Sequence, residues 1–501
     1  MFKNQPKGLI PAALANMGER FGFYVMMAIL TLFLMSKFGL DGTEAGSLYS
    51  IFYGAIYILA VFGGLIADRL KNYKGTIMAG LVVMSLGYAL LAIPSLITSQ
   101  YIALGALLVI AFGNGLFKGN LQALVGQLYD NPKYASKRDS GFQIFYMFIN
   151  IGGCLAPFMA TGVRNWFVKS QGFLYNADLP GLCWQFKRGE MSQEVFNGRF
   201  TDLATQVSGG VTPDMATFAN NYLEAFNTGF HYAFSVAIIA MLISLVIFLV
   251  AKKGLPDPSA KAAAAKKDAV SKEEIRQDAK EIKQRILALF AVFGIVIFFW
   301  FSFHQNGLTL TMFAKDYTLL EVFGTSITAE IFQAVNPFVV VFLTPVVMWI
   351  FSALARRGKE PSTPKKIAIG MGIAAAAYVV MTLASIGLPN YADIKASGLD
   401  DAARVTPWVL FSVYFILTIA ELFISPLGLS FVSKVAPTHL QGLMQGFWLG
   451  ATAVGNFSLV LGAIMYENSS LVMTWSVFAV VCFISMGVMF GMVKWLERVA
   501  K

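Results

Sequence analysis

Charged residues are scarce in this chain of 501 residues. Asp, Glu, Lys and Arg together make up only 13% of it, whereas 57% of the residues are hydrophobic. Soluble globular proteins carry about 25% charged residues, because a protein surface in water needs them. The composition therefore excludes a water-soluble globular protein and predicts an integral membrane protein, in agreement with the mean hydropathy of +0.64.

Cysteine is equally rare, with three residues in the whole chain. Cys154, Cys183 and Cys482 lie in different segments and lack metal-ligand spacing, which argues against a disulfide framework and a zinc site. The chain also has neither a His-Glu-x-x-His run nor a Gly-x-Ser-x-Gly turn, the signatures of two classes of hydrolase. We expect no metal, no cofactor and no enzymatic activity.

Twelve apolar runs are long enough to cross about 30 Å of hydrocarbon. They lie near residues 9–36, 46–67, 75–97, 100–125, 139–163, 229–251, 286–307, 327–353, 366–388, 406–428, 438–464 and 471–496. The predicted fold is therefore all-α, with twelve transmembrane helices. We expect the first span to be retained and not cleaved as a signal peptide, since it carries charge and is too long.

The spacing of the runs predicts two bundles of six helices each. Residues 1–163 and 229–251 would form the first bundle, and residues 286–501 the second. Between spans 5 and 6, residues 164–228 would form a long extracytoplasmic loop. Residues 252–285 would form a basic cytoplasmic linker with a helix at the anionic lipid surface. A solvated tether and a calmodulin-like partner site are the alternatives for this linker.

The basic residues predict the orientation. Most of the 38 Lys and Arg residues fall on the cytoplasmic side if the N-terminus is cytoplasmic, as the positive-inside rule requires. Both termini would then be cytoplasmic. The net charge of +10 reflects this topology, so we expect no nucleic-acid partner.

The ionisable side chains inside the predicted spans include Glu19, Arg20, Lys118, His304 and Glu421. A charge at the bilayer centre costs about 2.5–3.5 kcal/mol on insertion scales, so such residues usually face a partner or a watery cavity. For Glu19 and Arg20 the alternative is an ion pair at the membrane interface. Together the five predict a polar cavity between the bundles, where secondary transporters bind their cargo.

The two halves of the chain differ in the sign of their isolated charge. Lys118 is a cation in the first half and Glu421 an anion in the second. A zwitterion could span them, and a dipeptide reaches about 7 Å from end to end at roughly 3.3–3.6 Å per residue. Asn150, Asn336 and Gln305 offer hydrogen bonds to a peptide backbone, although contacts between helices explain each amide taken singly.

A run of small residues ends the second span, from Gly63 to Asp68 and Arg69. The glycines allow close approach of another helix, and Asp68 has the chemistry to cap or pair across a closing gate. We expect Asp68 and Arg69 to take part in gating. A positively charged loop with a turn is the alternative.

Several motifs, taken in order, resemble those of the proton-coupled oligopeptide transporters, a branch of the major facilitator superfamily. Glu19, Arg20 and Tyr24 match the second half of the Glu-x-x-Glu-Arg motif in span 1. The further matches are residues 113–120 around Lys118, residues 145–152 around Asn150, Asn336 with Pro337, Glu421 with residues 425–429, and Trp448.

The resemblance implies a secondary active transporter of a bacterial inner membrane that imports di- and tripeptides, by proton symport and alternating access, as a monomer. It places Arg20 and Lys118 at the peptide carboxylate. It places Glu421, Asn150 and Asn336 at the amino terminus, with Tyr24, Tyr57, Trp300 and Trp448 around the pocket.

Three departures from the family pattern bear on the coupling to protons. Asn16 replaces the first glutamate of the span 1 motif, Met27 replaces an arginine, and His304 replaces a glutamate. The resemblance implies that this arginine and the glutamate of span 7 pair across an outer gate. Glu19 and His304 remain as candidate proton carriers, and a neutral His304 that only bonds to a neighbouring helix is the alternative. An uncoupled or differently coupled carrier of peptides or another small organic anion is the second hypothesis. A sensor without flux, built on residues 164–228, is the third.

Overall fold

The computed structural model describes residues 3–40, 42–176, 179–256, 272–326, 331–397 and 399–500. Among these residues, twelve helical spans are long and apolar enough to cross a membrane. They are α1 (Leu9–Phe38), α2 (Gly42–Leu70), α3 (Tyr73–Ala92), α4 (Gln100–Gln127), α5 (Arg138–Ser170), α6 (Met215–Ala251), α7 (Lys272–Phe303), α8 (Ile331–Arg356), α9 (Thr363–Ala384), α10 (Pro407–Val435), α11 (Gln441–Phe457, continued by Leu459–Asn468) and α12 (Leu471–Val499). The prediction of an all-α protein with twelve transmembrane helices is confirmed.

Short elements connect the spans. The α-helical ones are Pro132–Ala135, Leu179–Arg188, Gln193–Val195, Thr201–Val207, Thr309–Tyr317 and Tyr391–Ser397, with a π-helical turn at Phe196–Phe200. The 3₁₀ turns are Lys252–Gly254, His304–Gly307, Asp401–Ala403 and Thr438–Leu440. One antiparallel hairpin, β1 (Glu321–Val322) and β2 (Thr325–Ser326), pairs Glu321 with Ser326 and Val322 with Thr325.

The connection between α5 and α6 is shorter than predicted. Helix α5 runs on to Ser170 and α6 begins at Met215, so the residues between these spans are 171–214, not 164–228. The first turns of α6 are helical because their apolar side chains are buried: Phe218 and Tyr222 pack edge-on against the ring of Phe173. A hydropathy window centred on the bilayer misses such an extension.

The predicted linker 252–285 also changes its bounds. Helix α7 begins at Lys272 and continues without a break into the seventh span, so the helix predicted there is part of α7. Residues 257–271 of the predicted linker lie outside the described residues.

The spans pack as two groups of six. In the first, α1 contacts α5 and α6, α2 contacts α4, and α3 contacts α4 and α6. In the second, α9 contacts α10 and α12, α7 contacts α11 and α12, and α8 contacts α10. The groups meet where α2, α4 and α5 contact α8, α10 and α11.

We call the face where α1 begins and α12 ends the terminal face, and the opposite one, which carries residues 171–214, the loop face. Residues 171–214 pack on the first bundle at the loop face. The Trp184 indole N–H donates to the Ser36 carbonyl (2.7 Å) and Arg188 donates to the Gly39 carbonyl (3.0 Å), both at the end of α1. This segment is therefore fixed to the first bundle.

Helix α2 approaches two neighbours through glycine. A Cβ atom on Gly63 would lie 2.0 Å from the Gly115 oxygen of α4, and one on Gly64 would lie 2.3 Å from the Gly442 oxygen of α11. Real side chains do not tolerate such distances. The glycines therefore set how closely α2 packs within its own bundle and against the other one.

Gly115→Ala should destabilise the protein, because its Cβ would lie 2.5 Å from the Leu59 oxygen. Overpacking of this kind costs about 1–3 kcal/mol. A lower apparent Tm in a thermal shift assay in detergent would show it. Gly105→Ala on the same helix is the matched control, since nothing lies within 4 Å of that position. Equal Tm values for both variants would contradict the packing argument.

Candidate functional site

A cavity of about 1220 Å³ lies between the two bundles. Helices α1, α2, α4 and α5 line it on one side, and α7, α8, α10 and α11 on the other. Val322 of the hairpin, which connects α7 to α8 at the loop face, also lines the cavity. The cavity, which we call the chamber, therefore reaches that face; the loop face is the one opposite the start of α1. Nine predicted cargo-binding residues line it, namely Arg20, Tyr24, Tyr57, Lys118, Asn150, Trp300, Asn336, Glu421 and Trp448.

The acid and the base of α1 form a pair behind the chamber wall. Arg20 donates through Nε and Nη2 to the two carboxylate oxygens of Glu19, at 2.6 and 2.7 Å. The Asn114 amide of α4 donates to the same carboxylate at 2.8 Å. Glu19 is fully buried, whereas Arg20 reaches the chamber. Asn16 is buried one turn earlier and is not among the residues that line the chamber.

Lys118 differs from this pair, because none of the described residues places a carboxylate within 4.0 Å of its ammonium group. Its Nζ lies 5.2 Å from the centre of the Tyr57 ring, a cation–π distance. Lys118 is thus a cation in a mostly apolar wall, stabilised by an aromatic face and open to the chamber.

Glu421 lies on the second bundle and is held by neutral donors. The Asn336 amide of α8 donates to Oε2 at 2.6 Å, and the Tyr146 hydroxyl of α5 donates to Oε1. The Tyr146 contact crosses between the bundles. Neutral donors leave the charge of the carboxylate uncompensated, so Glu421 is the acidic counterpart of Lys118 in the same chamber.

His304 lies in the 3₁₀ turn after α7 and lines the chamber. Its Nδ1 is hydrogen-bonded to the Asn456 side chain of α11, and its ring stacks on Trp300 with 4.8 Å between centroids. These two contacts fix the orientation of the imidazole, and no hydrogen bond to its Nε2 comes from the part of the chain that the structure describes.

Gln305 differs in position from the nine predicted residues that line the chamber. Its side chain is fully buried, contacts the Leu459 carbonyl at 3.4 Å and Thr309 at 3.1 Å, and does not line the chamber. The α-helix ends at Phe303, and the 3₁₀ turn that follows advances by about 120° per residue instead of 100°. α-Helical periodicity therefore does not give the direction of the Gln305 side chain.

Asp68 joins the bundles at the terminal face. Its carboxylate accepts hydrogen bonds from the backbone N–H groups of Gly442 (3.1 Å) and Leu443 (2.8 Å) at the start of α11, and from the Tyr73 hydroxyl. A carboxylate at a helix N-terminus satisfies orphan N–H groups and the helix dipole. Arg69 is exposed at the end of α2.

Sequence reasoning missed chamber residues that lie on the same helix faces as predicted ones. Tyr146 precedes Asn150 by four residues and accepts its amide N–H on the backbone oxygen at 3.0 Å. Tyr53 precedes Tyr57 by four residues, and Gln122 follows Lys118 by four. Because residues four apart share a helix face, this spacing was the signal that could have found them.

Comparison with known proteins now identifies the group to which the chain belongs. The family model described as the POT family matches residues 74–260 and 258–477. Peptide transporter YePEPT of Yersinia enterocolitica is 28% identical over 472 residues, which cover 91% of this chain and 87% of that protein. Dipeptide and tripeptide permease B of Shigella dysenteriae is 29% identical, with 99% and 96% covered.

Solved structures show the same fold. A peptide transporter POT in complex with sulfate aligns with a TM-score of 0.60 at 23% identity, covering all of this chain and 96% of that one. A POT family transporter in complex with 5-aminolevulinic acid aligns with a TM-score of 0.62 at 20% identity, covering all of this chain and 98% of that one. The family match, the relatives and the fold agree: this multi-pass membrane protein is a transporter and belongs to the POT family.

Proposed function

We propose that this chain imports di- and tripeptides across a bacterial inner membrane, by proton symport and alternating access. One observation carries the proposal: Lys118 and Glu421 lie on opposite bundles and line the same chamber. A zwitterionic peptide matches two such charges at its two ends. The names of the relatives in Yersinia and Shigella agree with a peptide as cargo.

The proposed pose follows from the partners of each charge. The peptide carboxylate binds Lys118 and the free edge of the Arg20 guanidinium. The peptide ammonium group binds Glu421, with Asn336 and Asn150 as hydrogen-bond partners. Tyr24, Tyr57, Trp300 and Trp448 then contact the peptide side chains.

We propose Glu19 as the first candidate for the coupled proton. Its carboxylate holds Arg20 through two short hydrogen bonds. Protonation of Glu19 removes the charge that binds the guanidinium, so Arg20 becomes available to a peptide carboxylate. His304 is the second candidate, because its imidazole lines the chamber while Nδ1 is bonded to Asn456.

In the proposed orientation the terminal face is cytoplasmic, with both termini there, and a single chain is the transporting unit. The basic residues of the cytoplasmic segments support this orientation and contact anionic lipid. The bundles are joined at the terminal face by Asp68 and α11, while the chamber reaches the loop face. The structure thus has the arrangement of an outward-facing carrier, and Asp68 with Arg69 would belong to its inner gate.

A second candidate is an uncoupled or differently coupled carrier of peptides or another small organic anion. It is favoured by one observation, the absence of a carboxylate near Lys118 among the described residues. Collapse of uptake on addition of a protonophore would support the proton symporter, and unchanged uptake would support this second candidate.

Lys118→Ala and Glu421→Ala should each weaken binding of dialanine by at least about tenfold, the factor that corresponds to 1.4 kcal/mol. Each variant removes the partner of one peptide end. Competition by dialanine against a labelled peptide in proteoliposomes measures the effect. Blocked peptides separate the two ends: Lys118→Ala should not change binding of dialanine amide, and Glu421→Ala should not change binding of N-acetyl-dialanine.

Val339→Ala is the matched control for both variants, because Val339 lines the chamber without a charge. It should bind dialanine like the unmodified protein. Unchanged dialanine affinity in both Lys118→Ala and Glu421→Ala would overturn the proposed pose.

Glu19→Gln should abolish accumulation of peptide driven by an imposed pH gradient but leave peptide exchange intact. The glutamine cannot release a proton, while Lys118 and Glu421 still bind cargo. The two activities are measured in proteoliposomes, as pH-driven uptake and as counterflow. If Glu19→Gln still accumulates peptide and His304→Gln does not, the coupled proton belongs to His304.

A further inference from the structure

A second group of polar contacts joins the bundles near the terminal face, apart from Asp68. Asp139 lies in the first turn of α5. Its carboxylate accepts hydrogen bonds from Thr363 (2.9 Å) and Lys366 (2.9 Å) of α9, and from Ser430 (2.6 Å) of α10. All three donors belong to the second bundle, so a single carboxylate of the first bundle holds two helices of the second.

Lys366 has a further partner in its own bundle. Its ammonium group lies 2.7 Å from Glu360 Oε1, in the connection between α8 and α9. The Lys366 side chain is 1% exposed, and those of Asp139 and Glu360 are 22% and 37% exposed. One buried cation therefore lies between two acids, one on each bundle.

The connection that carries Glu360 is bound to the second bundle. Ser362 donates to Glu497 of α12 at 2.5 Å, and Lys365 pairs with the same carboxylate oxygen at 3.0 Å. When the bundles move relative to each other, Glu360 therefore remains beside Lys366. Asp139 moves away from Lys366, because it belongs to the first bundle.

Opening of the terminal face has different consequences for the two acids. Asp139 loses all three donors of the second bundle, and water and the N-terminus of α5 replace them. Lys366 keeps Glu360. A buried ammonium group without any partner would make the open state costly, and Glu360 removes this cost.

We propose that Lys366 is shared between two acids with opposite effects on alternating access: Asp139 stabilises the closed terminal face, and Glu360 stabilises Lys366 when that face is open. The proposal rests on the alternating access of the proposed function but not on the identity of the cargo. On this proposal, Asp139, Lys366 and Glu360 set the relative stability of the states in which the terminal face is closed or open.

The chain contains its own reporter for the test. Cys154 lines the chamber, which reaches the loop face, and is half-buried. Cys183 and Cys482 are fully buried, and burial raises the pKa of the Cys183 thiol to about 12. A membrane-impermeant maleimide applied from the loop face therefore reports on the outward-facing state through Cys154, and Cys154→Ser gives the background.

Asp139→Asn and Glu360→Gln should shift this labelling in opposite directions. In proteoliposomes of one orientation, Asp139→Asn should be labelled from the loop face at least about fivefold more slowly than the unmodified protein, the lower end of typical coupling between sites. Glu360→Gln should be labelled faster. A shift of both variants in the same direction, no change in Asp139→Asn, or labelling of Glu360→Gln at or below the unmodified rate would overturn the proposal.

Further variants test whether a folding defect explains the change in labelling. Asp139→Glu should be labelled at close to the unmodified rate, and Ser430→Ala, which removes one neutral donor, should slow labelling less than Asp139→Asn. Glu281→Gln is the control for loss of an exposed acid, since Glu281 pairs with Arg285 on its own helix, α7. A Ser430→Ala effect opposite to that of Asp139→Asn would also count against the proposal.

No peptide is needed for the labelling, so its result is separate from that of peptide uptake. If the protein fails to transport dialanine but the two variants shift labelling in opposite directions, the proposed cargo is contradicted and the proposed sharing of Lys366 is supported. If the protein transports dialanine but the labelling shifts are absent, the proposed cargo is supported and the proposed sharing of Lys366 is contradicted.

Discussion

The cost of an ionised side chain in an apolar membrane governs this structure. Among the ionisable residues of the predicted spans, Glu19 and Arg20 form an ion pair that offsets this free-energy cost. Lys118 and Glu421 have no ionic partner among the described residues and meet it through contact with a shared chamber. Two bundles that enclose a water-filled space are the arrangement in which both charges are tolerated.

The same rule separates the residues proposed to bind cargo from the residues that join the bundles. At the terminal face, Asp68 and Asp139 have several donors from the opposite bundle. Inside the chamber, none of the described residues pairs an opposite charge with Lys118 or Glu421. A charge satisfied by the other bundle stabilises one conformation of the carrier, whereas an unsatisfied one favours a ligand that brings the missing charge.

The sequence predicts the spans and most of the chamber, because apolar length and isolated charges are local signals. Contacts between helices far apart in the chain are not local, and the pair of Asp139 and Lys366, 227 residues apart, was missed for this reason. The position of Gln305 outside the chamber was not predictable from α-helical spacing, because it lies in a 3₁₀ turn. The start of α6 was missed because its first turns are buried by residues 171–214 and not by lipid.

The departures at Met27 and His304 give the two faces of the carrier different chemistry. Met27 lines a recess beside the chamber, and His304 is bound to Asn456 and Trp300. Neither position offers the ion pair that the family resemblance implies for an outer gate. Phe158, Phe411 and Val322 line the chamber instead. On the proposed mechanism, closure of the loop face buries apolar surface, which is non-directional, whereas closure of the terminal face forms oriented hydrogen bonds. If only the arginine or only the glutamate of the family were replaced, the remaining charge would be buried without a partner, at a cost of about 3–5 kcal/mol. Replacement of both, by Met27 and His304, avoids this cost.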